Sequence, residues 1–552
     1  MIIETIVKTK TRNNMNQKDY MELSEDGRTL IRCDKNAEGK IRIPYGVTKI
    51  GLACFFPCSK ISSIEIPSTV TEISDCSFSD CTGLKEIVTD EKNPVFRSED
   101  GVLYSKDLSR LIAVPRCKDS IQIPESVIEI GDWAFNGCSN FTSVEIPNGV
   151  KMIGQNAFDG CTSLASVEIP DRIKKIGDYA FSDCTSLTSI EIPGSVTEIG
   201  KNVFSGCSGV KKYVVNTDNP IYCSFNGAIY TKGMKDLLRV PGIIGSFNIP
   251  GSVTRIKDGA FDGCTSLTSI EIPDGVSEIG DSAFMNCSSL TSIDIPDKVT
   301  KIGTSTFQGC TSLASIGIPD RVTEIGNSAF RNCSCLSAIE MPDGVNKIGG
   351  CAFYGCTSLS SIEIPDGVTL IEFGAFSGCT SLTSIKIPDG VTVIEDFAFC
   401  DCTSLKAIEM HEGLIGIRGT AFAGCASLKS IAIPESVIEI GEYAFAECTC
   451  LTSVKIPDKV RFIHDRTFAG CTSLFSIKIP GSVRIIKENA FDGCTSLTEV
   501  HLGQMVGCSR LLLQKALQNL DYKKITLYVP IGSGDEYRND TSNREFKNVI
   551  EE

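Results

Sequence analysis

Histidine and tryptophan are nearly absent from this chain: three of the first and one of the second in 552 residues. So few imidazoles leave little material for general-base or metal-ligand chemistry. His411, His464 and His501 stand outside any Cys/His or Ser/His arrangement. Long apolar runs are missing too. No segment approaches the roughly 18 residues that cross a bilayer, so membrane insertion is not expected. An excess of positive charge is also lacking, since 53 Lys and Arg stand against 68 Asp and Glu, a net charge of −15. Binding of nucleic acid rests on neutralising phosphates with basic side chains, and this balance argues against it. The glycines follow a period and form no phosphate-binding motif. The opening MIIETIVKTKTRNNMNQKD has no apolar signal-peptide core, which read literally predicts a cytoplasmic protein.

What the chain has in abundance is cysteine, 27 in all. Seventeen of them stand on a grid: 58 and 81; 138, 161, 184 and 207; then every 23rd position from 264 to 494. A phenylalanine precedes each by three residues, from Phe55 to Phe491. A fixed apolar pattern with a 20–30-residue period marks a leucine-rich-repeat solenoid. Free cysteine behaves as a small buried hydrophobe, so the grid predicts a column of reduced interior thiols. Zinc needs converging ligands, whereas a column spreads them along a line, and no metal or other cofactor is expected. Cys335 and Cys450, two residues after grid cysteines, are expected at the surface.

One repeat, CTSLTSIEIPDGVSEIGDSAF from Cys264 to Phe284, predicts its own fold. Leu267, Ile270 and Ile272 point inward, and the alternation SIEIP reads as a short strand with Ser269 and Glu271 outward. Pro-Asp-Gly supplies a turn, with Gly275 expected at positive φ. Val276 and Ile279 point inward again, Gly280 allows a second bend, and DSAF reads as one helical or 3-10 turn. Stacking predicts an α/β-type leucine-rich-repeat solenoid, mostly β by content. It would be a curved right-handed superhelix, with one long parallel sheet on the concave face and short strands and turns on the convex face.

Three domains are expected. Residues 1–39 form an N-terminal cap hairpin around an Asp-Gly turn, 40–506 the solenoid, and 507–552 a C-terminal cap of helix, strand and tail. The grid is broken twice by the same amount, Cys81 to Cys138 and Cys207 to Cys264, each 57 residues. Two related β-hairpin inserts fill the gaps, near 90–120 and 216–246.

The residues between 40 and 506 resemble the BspA-like or Treponema-type leucine-rich repeat family, whose repeat has the form IPxxVxxIGxxAFxxCxxLxxIxIP. That resemblance implies a non-enzymatic repeat scaffold of a bacterial or protozoan cell, often surface-exposed or secreted, that binds host or partner proteins. A cytoplasmic interaction scaffold is the alternative, and a cation-binding array is a second one.

Ligand surfaces of solenoids are usually built from outward strand residues. Seven residues after each grid cysteine, that column runs through Glu145, Glu168, Glu191, Glu271, Asp294, Glu340 and Glu363, then Lys386, Lys455 and Lys478. Stacked like charges cost stability, so this column suits a basic partner or bound cations, or it is a solubilising duplicate of one repeat. Tyr104, Tyr222 and Tyr230 in the inserts are expected as exposed anchors beside it. Trp133, Tyr179, Phe373, Phe397 and Tyr443, just before the repeat Phe, are expected to pack between neighbouring rungs. The partner is a protein, and the chain itself is expected to be a monomer.

Overall fold

A computed structural model describes residues 20–242, 245–503, 516–517, 520–539 and 548–552. The chain divides into two compact units, residues 1–234 with 238–243, and 235–237 with 244–552. Each is a parallel β-solenoid with almost no helix, in which successive rungs repeat the same coil.

The rung that starts at Cys264 shows why the sequence folds this way. Strand Ser269–Glu271 pairs in parallel with Ser246–Asn248 of the preceding rung. The Pro273 carbonyl then accepts from Val276 N–H at 2.9 Å, closing the turn. A second, two-residue strand, Glu278–Ile279, pairs with Arg255–Ile256. Two parallel ladders therefore run up each unit, one of longer strands and one of shorter strands.

The long-strand ladder differs from the single sheet expected. In the second unit it runs mostly in two-strand segments, such as Ser292–Asp294 with Ser315–Gly317. Its longest run is five strands, ending with Thr526–Val529 and Asn548–Glu551. A three-residue strand followed by a proline, which has no N–H, offers one or two bonds to each neighbour. Losing one of them breaks the ladder.

The DSAF segment is not a helical turn. Ser282, Phe284 and Asn286 donate their N–H groups to Thr304, Thr306 and Gln308 of the next rung, at 2.8, 2.9 and 2.7 Å. The alternate N–H groups of Ala283, Met285 and Cys287 close tight turns onto Gly280, Ser282 and Phe284. Such alternation needs left-handed backbone at every fourth residue, and Ser282 and Asn286 have φ of 56° and 58°. Positive φ thus falls five residues and one residue before the grid cysteine, and not at Gly275. The second site is usually glycine, as at Gly309 with φ 74°. Gly280 serves close approach instead: a Cβ there would meet the Asp258 side chain and backbone of the preceding rung.

The interior is a set of stacked columns. Phe261 to Phe491 lie one above another, ring centroids 4.8–5.8 Å apart and nearly parallel. Phe135, Phe158, Phe181 and Phe204 stack likewise in the first unit. Grid thiols form the next column, and no disulfide joins the described cysteines. Their thiols do not face one another alone. Cys333 Sγ donates to the Phe307 carbonyl at 3.1 Å and Cys356 Sγ to Phe330 at 3.1 Å, a bond repeated along both units.

At the start, Met21–Leu23 and Thr29–Cys33 form an antiparallel pair. Near the end, Gly534–Asn539 is a short helix and Tyr537 is buried. Most of the expected helix at Cys508–Lys524, and Phe546, lie outside the described residues.

Each insert is a three-strand meander built into the short-strand ladder. Phe96–Glu99 and Val102–Ser105 form a hairpin. Arg110–Ala113 then pairs with that hairpin on one side and in parallel with Glu129–Ile130 on the other. The second insert repeats the hairpin as Tyr222–Phe225 and Ala228–Thr231. A buried asparagine anchors each one. Asn93 Nδ2 donates to Pro67 O and Val70 O, both 2.9 Å, and its Oδ1 accepts from Val95 and Phe96 N–H. Asn219 makes the same four bonds, to Pro193, Val196, Ile221 and Tyr222.

Candidate protein-binding face

The two ladders treat their outward charges differently. On the short-strand ladder, acids and bases alternate from rung to rung and pair: Lys49 with Glu72, Lys175 with Glu198 at 3.3 Å, and Glu324 with Lys301 and Lys347 at 3.3 and 3.2 Å. The Glu324 carboxyl sits below its usual range: burial raises it, but the hydrogen bonds of Lys347 and Lys301 outweigh that.

The long-strand ladder leaves a run of carboxylates unpaired. Glu145, Glu168, Glu191, Glu271, Asp294, Glu340 and Glu363 are all exposed, and none has an ion-pair or hydrogen-bond partner for its carboxylate among the described residues. Register holds them in line: Ser143 lies opposite Ser166 and Val144 opposite Val167, so Glu145 stands next to Glu168, one rung or about 4.8 Å away. Shallow grooves run beside the column, one lined by Glu145, Glu168, Asn148 and Pro170 and another by Glu363, Lys386, Glu409 and Pro388.

Basic residues follow. Lys386 lies opposite Glu409, and Lys455 opposite Lys478, which lies opposite His501. Lys455 is held by Glu435 of the preceding turn. At the first rungs the arrangement reverses, because Lys40 and Arg42 both engage Glu65 and hold its carboxyl below the usual range.

The insert tyrosines are not surface anchors. Tyr104, Tyr222 and Tyr230 are 2%, 7% and 0% exposed. The meanders lie in the ladder rather than projecting from it, and strand alternation turns these rings into the core. Tyr222 Oη accepts from Ile199 N–H at 3.1 Å, and burial raises the pKa of Tyr104 to about 12. The column before the repeat Phe does pack rung on rung. Asn202 donates to Tyr179 Oη at 3.0 Å, Arg466 lies 5.6 Å over the Tyr443 ring, and Phe373 and Phe397 are 5.4 Å apart.

The histidines serve turns and the chain end. His411 Nδ1 accepts from Gly413 N–H at 3.0 Å and Nε2 donates to Val391 O at 3.0 Å, so it closes the turn whose proline it replaces. His501 stacks on Tyr528 at 4.3 Å and meets Glu552 at 2.6 Å. Among the described residues no three or more His, Cys, Asp or Glu converge as a metal site, and no helix is long and apolar enough to cross a membrane.

The model of the BspA type leucine rich repeat region, in six copies, matches residues 34–112, 116–223, 243–356, 323–437 and 415–528. The chain belongs to this family. Solved structures similar to this BspA-type chain include a leucine rich cell surface protein from Faecalibacterium prausnitzii, 29% identical over 70% of this chain and 92% of that one, TM-score 0.39. A leucine-rich repeat protein from Bacteroides ovatus is 24% identical over 92% and 97%, TM-score 0.26. The pneumococcal vaccine antigen PcpA is 15% identical over 96% and 98%, TM-score 0.35. A comparison with curated proteins yields no match.

Proposed function

We propose that this BspA-type chain is a non-enzymatic scaffold that binds a protein with a basic surface through the outward side of its long-strand ladder. One observation carries the reading: the short-strand ladder pairs most of its charges between rungs, while the long-strand ladder keeps seven carboxylates exposed and unpaired. Neighbouring carboxylates one rung apart repel, and a partner bearing Lys or Arg at the same spacing would relieve that cost. The basic stretch at Lys386, Lys455 and Lys478 would orient the partner along the column. An adhesin-like role at a cell surface is the form the family suggests, and a scaffold inside the cell is the second.

Capture of binding proteins by the full chain, compared with a variant carrying Glu271→Lys, Asp294→Lys, Glu340→Lys and Glu363→Lys, tests the face. The wild type should retain basic partners that the variant loses, and equal capture by both would remove the proposal. Fractionation of the native cell separates surface from cytosol. Calorimetric titration with calcium should give no heat; a saturable binding heat would favour the cation-array reading instead.

A further inference from the structure

In the second unit the outward side of the short-strand ladder changes character. From Leu370 onward its charged column becomes Leu370, Val393, Gly416, Glu439, Phe462 and Ile485, and the adjacent column, one residue earlier, holds Ile415 and Ile438 at the two central rungs. Leu370, Ile415, Ile438 and Phe462 are 37%, 45%, 52% and 45% exposed. These residues are neighbours in the ladder. Leu370 lies opposite Val393, Val393 opposite Gly416, and Phe462 opposite Ile485, while Ile438 N–H donates to Ile415 O at 2.9 Å. An apolar stripe across six rungs, broken in one column only by Glu439 with its partner Arg418, thus takes the place of most of the ion pairs that cover the same ladder elsewhere. A contiguous exposed apolar surface of this kind marks an interaction site.

Its flanking charges are polarised along the stripe. At the repeat's bend position the first two rungs carry Glu372 and Glu395, and the last two carry His464 and Lys487, all at least partly exposed. Arg461 and Arg484, both exposed, add to the basic end. The six rungs therefore match themselves in reverse order. Leu370 falls over Ile485, Val393 over Phe462, Ile415 over Ile438, Glu372 over Lys487 and Glu395 over His464. Glu439 would fall over Gly416, which has no side chain to obstruct it, and its carboxylate is already held by Arg418 at 2.5 Å.

Self-complementarity under reversal is what a two-fold interface demands, since each patch must fit its own copy. We infer that this stripe is a homodimer interface, with a second copy of the chain packed face to face about an axis parallel to the short strands. The axis passes between the Gly416 and Glu439 rungs. The expected monomer is replaced by a pair whose acidic ends meet basic ends.

Sedimentation equilibrium of the full chain tests this, with circular dichroism to show that each variant keeps its fold. The wild type should dimerise, and Ile438→Asp, beside the axis, should raise the dissociation constant about tenfold or more. Glu372→Lys and Lys487→Glu should each weaken the dimer, and the double variant E372K/K487E should recover it, because the two reversed charges meet across the axis. A wild type that stays monomeric at every concentration would overturn the inference. A dimer indifferent to Ile438→Asp would do the same, as would a folded double variant that recovers nothing.

Discussion

The grid thiols are held by two effects that act together. Burial penalises the thiolate, pushing Cys356, Cys402 and Cys448 up to about 12. Each Sγ also donates to the phenylalanine carbonyl of an earlier rung, as Cys402 does to Phe376 at 3.2 Å. A thiol so placed is neither nucleophile nor metal ligand. Reaction of the folded chain with a thiol reagent should therefore be fast at Cys117, Cys335 and Cys450, the exposed members among the described cysteines, and slow along the grid. Denaturation should release most of the 27. A count near zero in denaturant would mean that the column is oxidised.

Asp159 gives a second residue-scale expectation. Burial and the neighbouring Asp183 raise its carboxyl to about 6, against the hydrogen bonds of Ser182 and Asn136. The folded chain holds that proton more tightly than the unfolded chain. Its contribution to stability is thus fully present below about pH 4 and lost as the pH rises through about 6. Asp159→Asn should raise the melting temperature at pH 7 to 8, with the gain vanishing near pH 4. A gain independent of pH would point to packing instead.

At the scale of elements, the two meanders show how a solenoid absorbs an interruption. Asn93 and Asn219 each satisfy two carbonyls of the preceding proline turn and two N–H groups of their own strand. Asn93→Ala would take a bond from four backbone groups, of which Pro67 O keeps Val70 N–H as a donor, at a cost of roughly 3 kcal/mol. Hydrogen exchange should show faster opening of Phe96–Ser105, with little change in rungs far from it, because repeats couple mainly to their neighbours. An even loss across the chain would contradict that local coupling. The NP dipeptide common to both inserts was visible in the sequence. That its asparagine is the anchor was not, since the carbonyls it satisfies lie 23 and 26 residues earlier.

At the scale of the whole molecule, the charge is arranged by ladder as well as in total. A net charge of −15 gives copies of the chain a mutual repulsion. The unpaired carboxylate column concentrates part of it on one face of each unit, where a basic partner would be steered and held. Because that face is exposed, capture of the partner should weaken as salt shortens the Debye length below about 10 Å. The stripe should respond less steeply, since burial of its apolar surface is not screened and only the charges at its two ends are. Measuring both associations across a salt series therefore separates the two surfaces, and an equally steep loss of both would deny the stripe its apolar character.

The 23-residue step, the inward Leu, Ile, Val, Phe and Cys positions, the family and the outward carboxylate column were all legible in the sequence. Periodicity alone decides which side chains one rung must bury against the next. The tertiary structure decided what depends on the neighbouring rung. Tyr104, Tyr222 and Tyr230 turned inward because the meanders join the ladder, and positive φ fell on Ser282 and Asn286 because alternate N–H groups are spent on the rung above. Most outward charges of one ladder pair while seven carboxylates of the other do not, and Leu370, Ile415, Ile438 and Phe462 share one surface. Such relations join residues about 23 positions apart, and only the stacking of rungs brings them together.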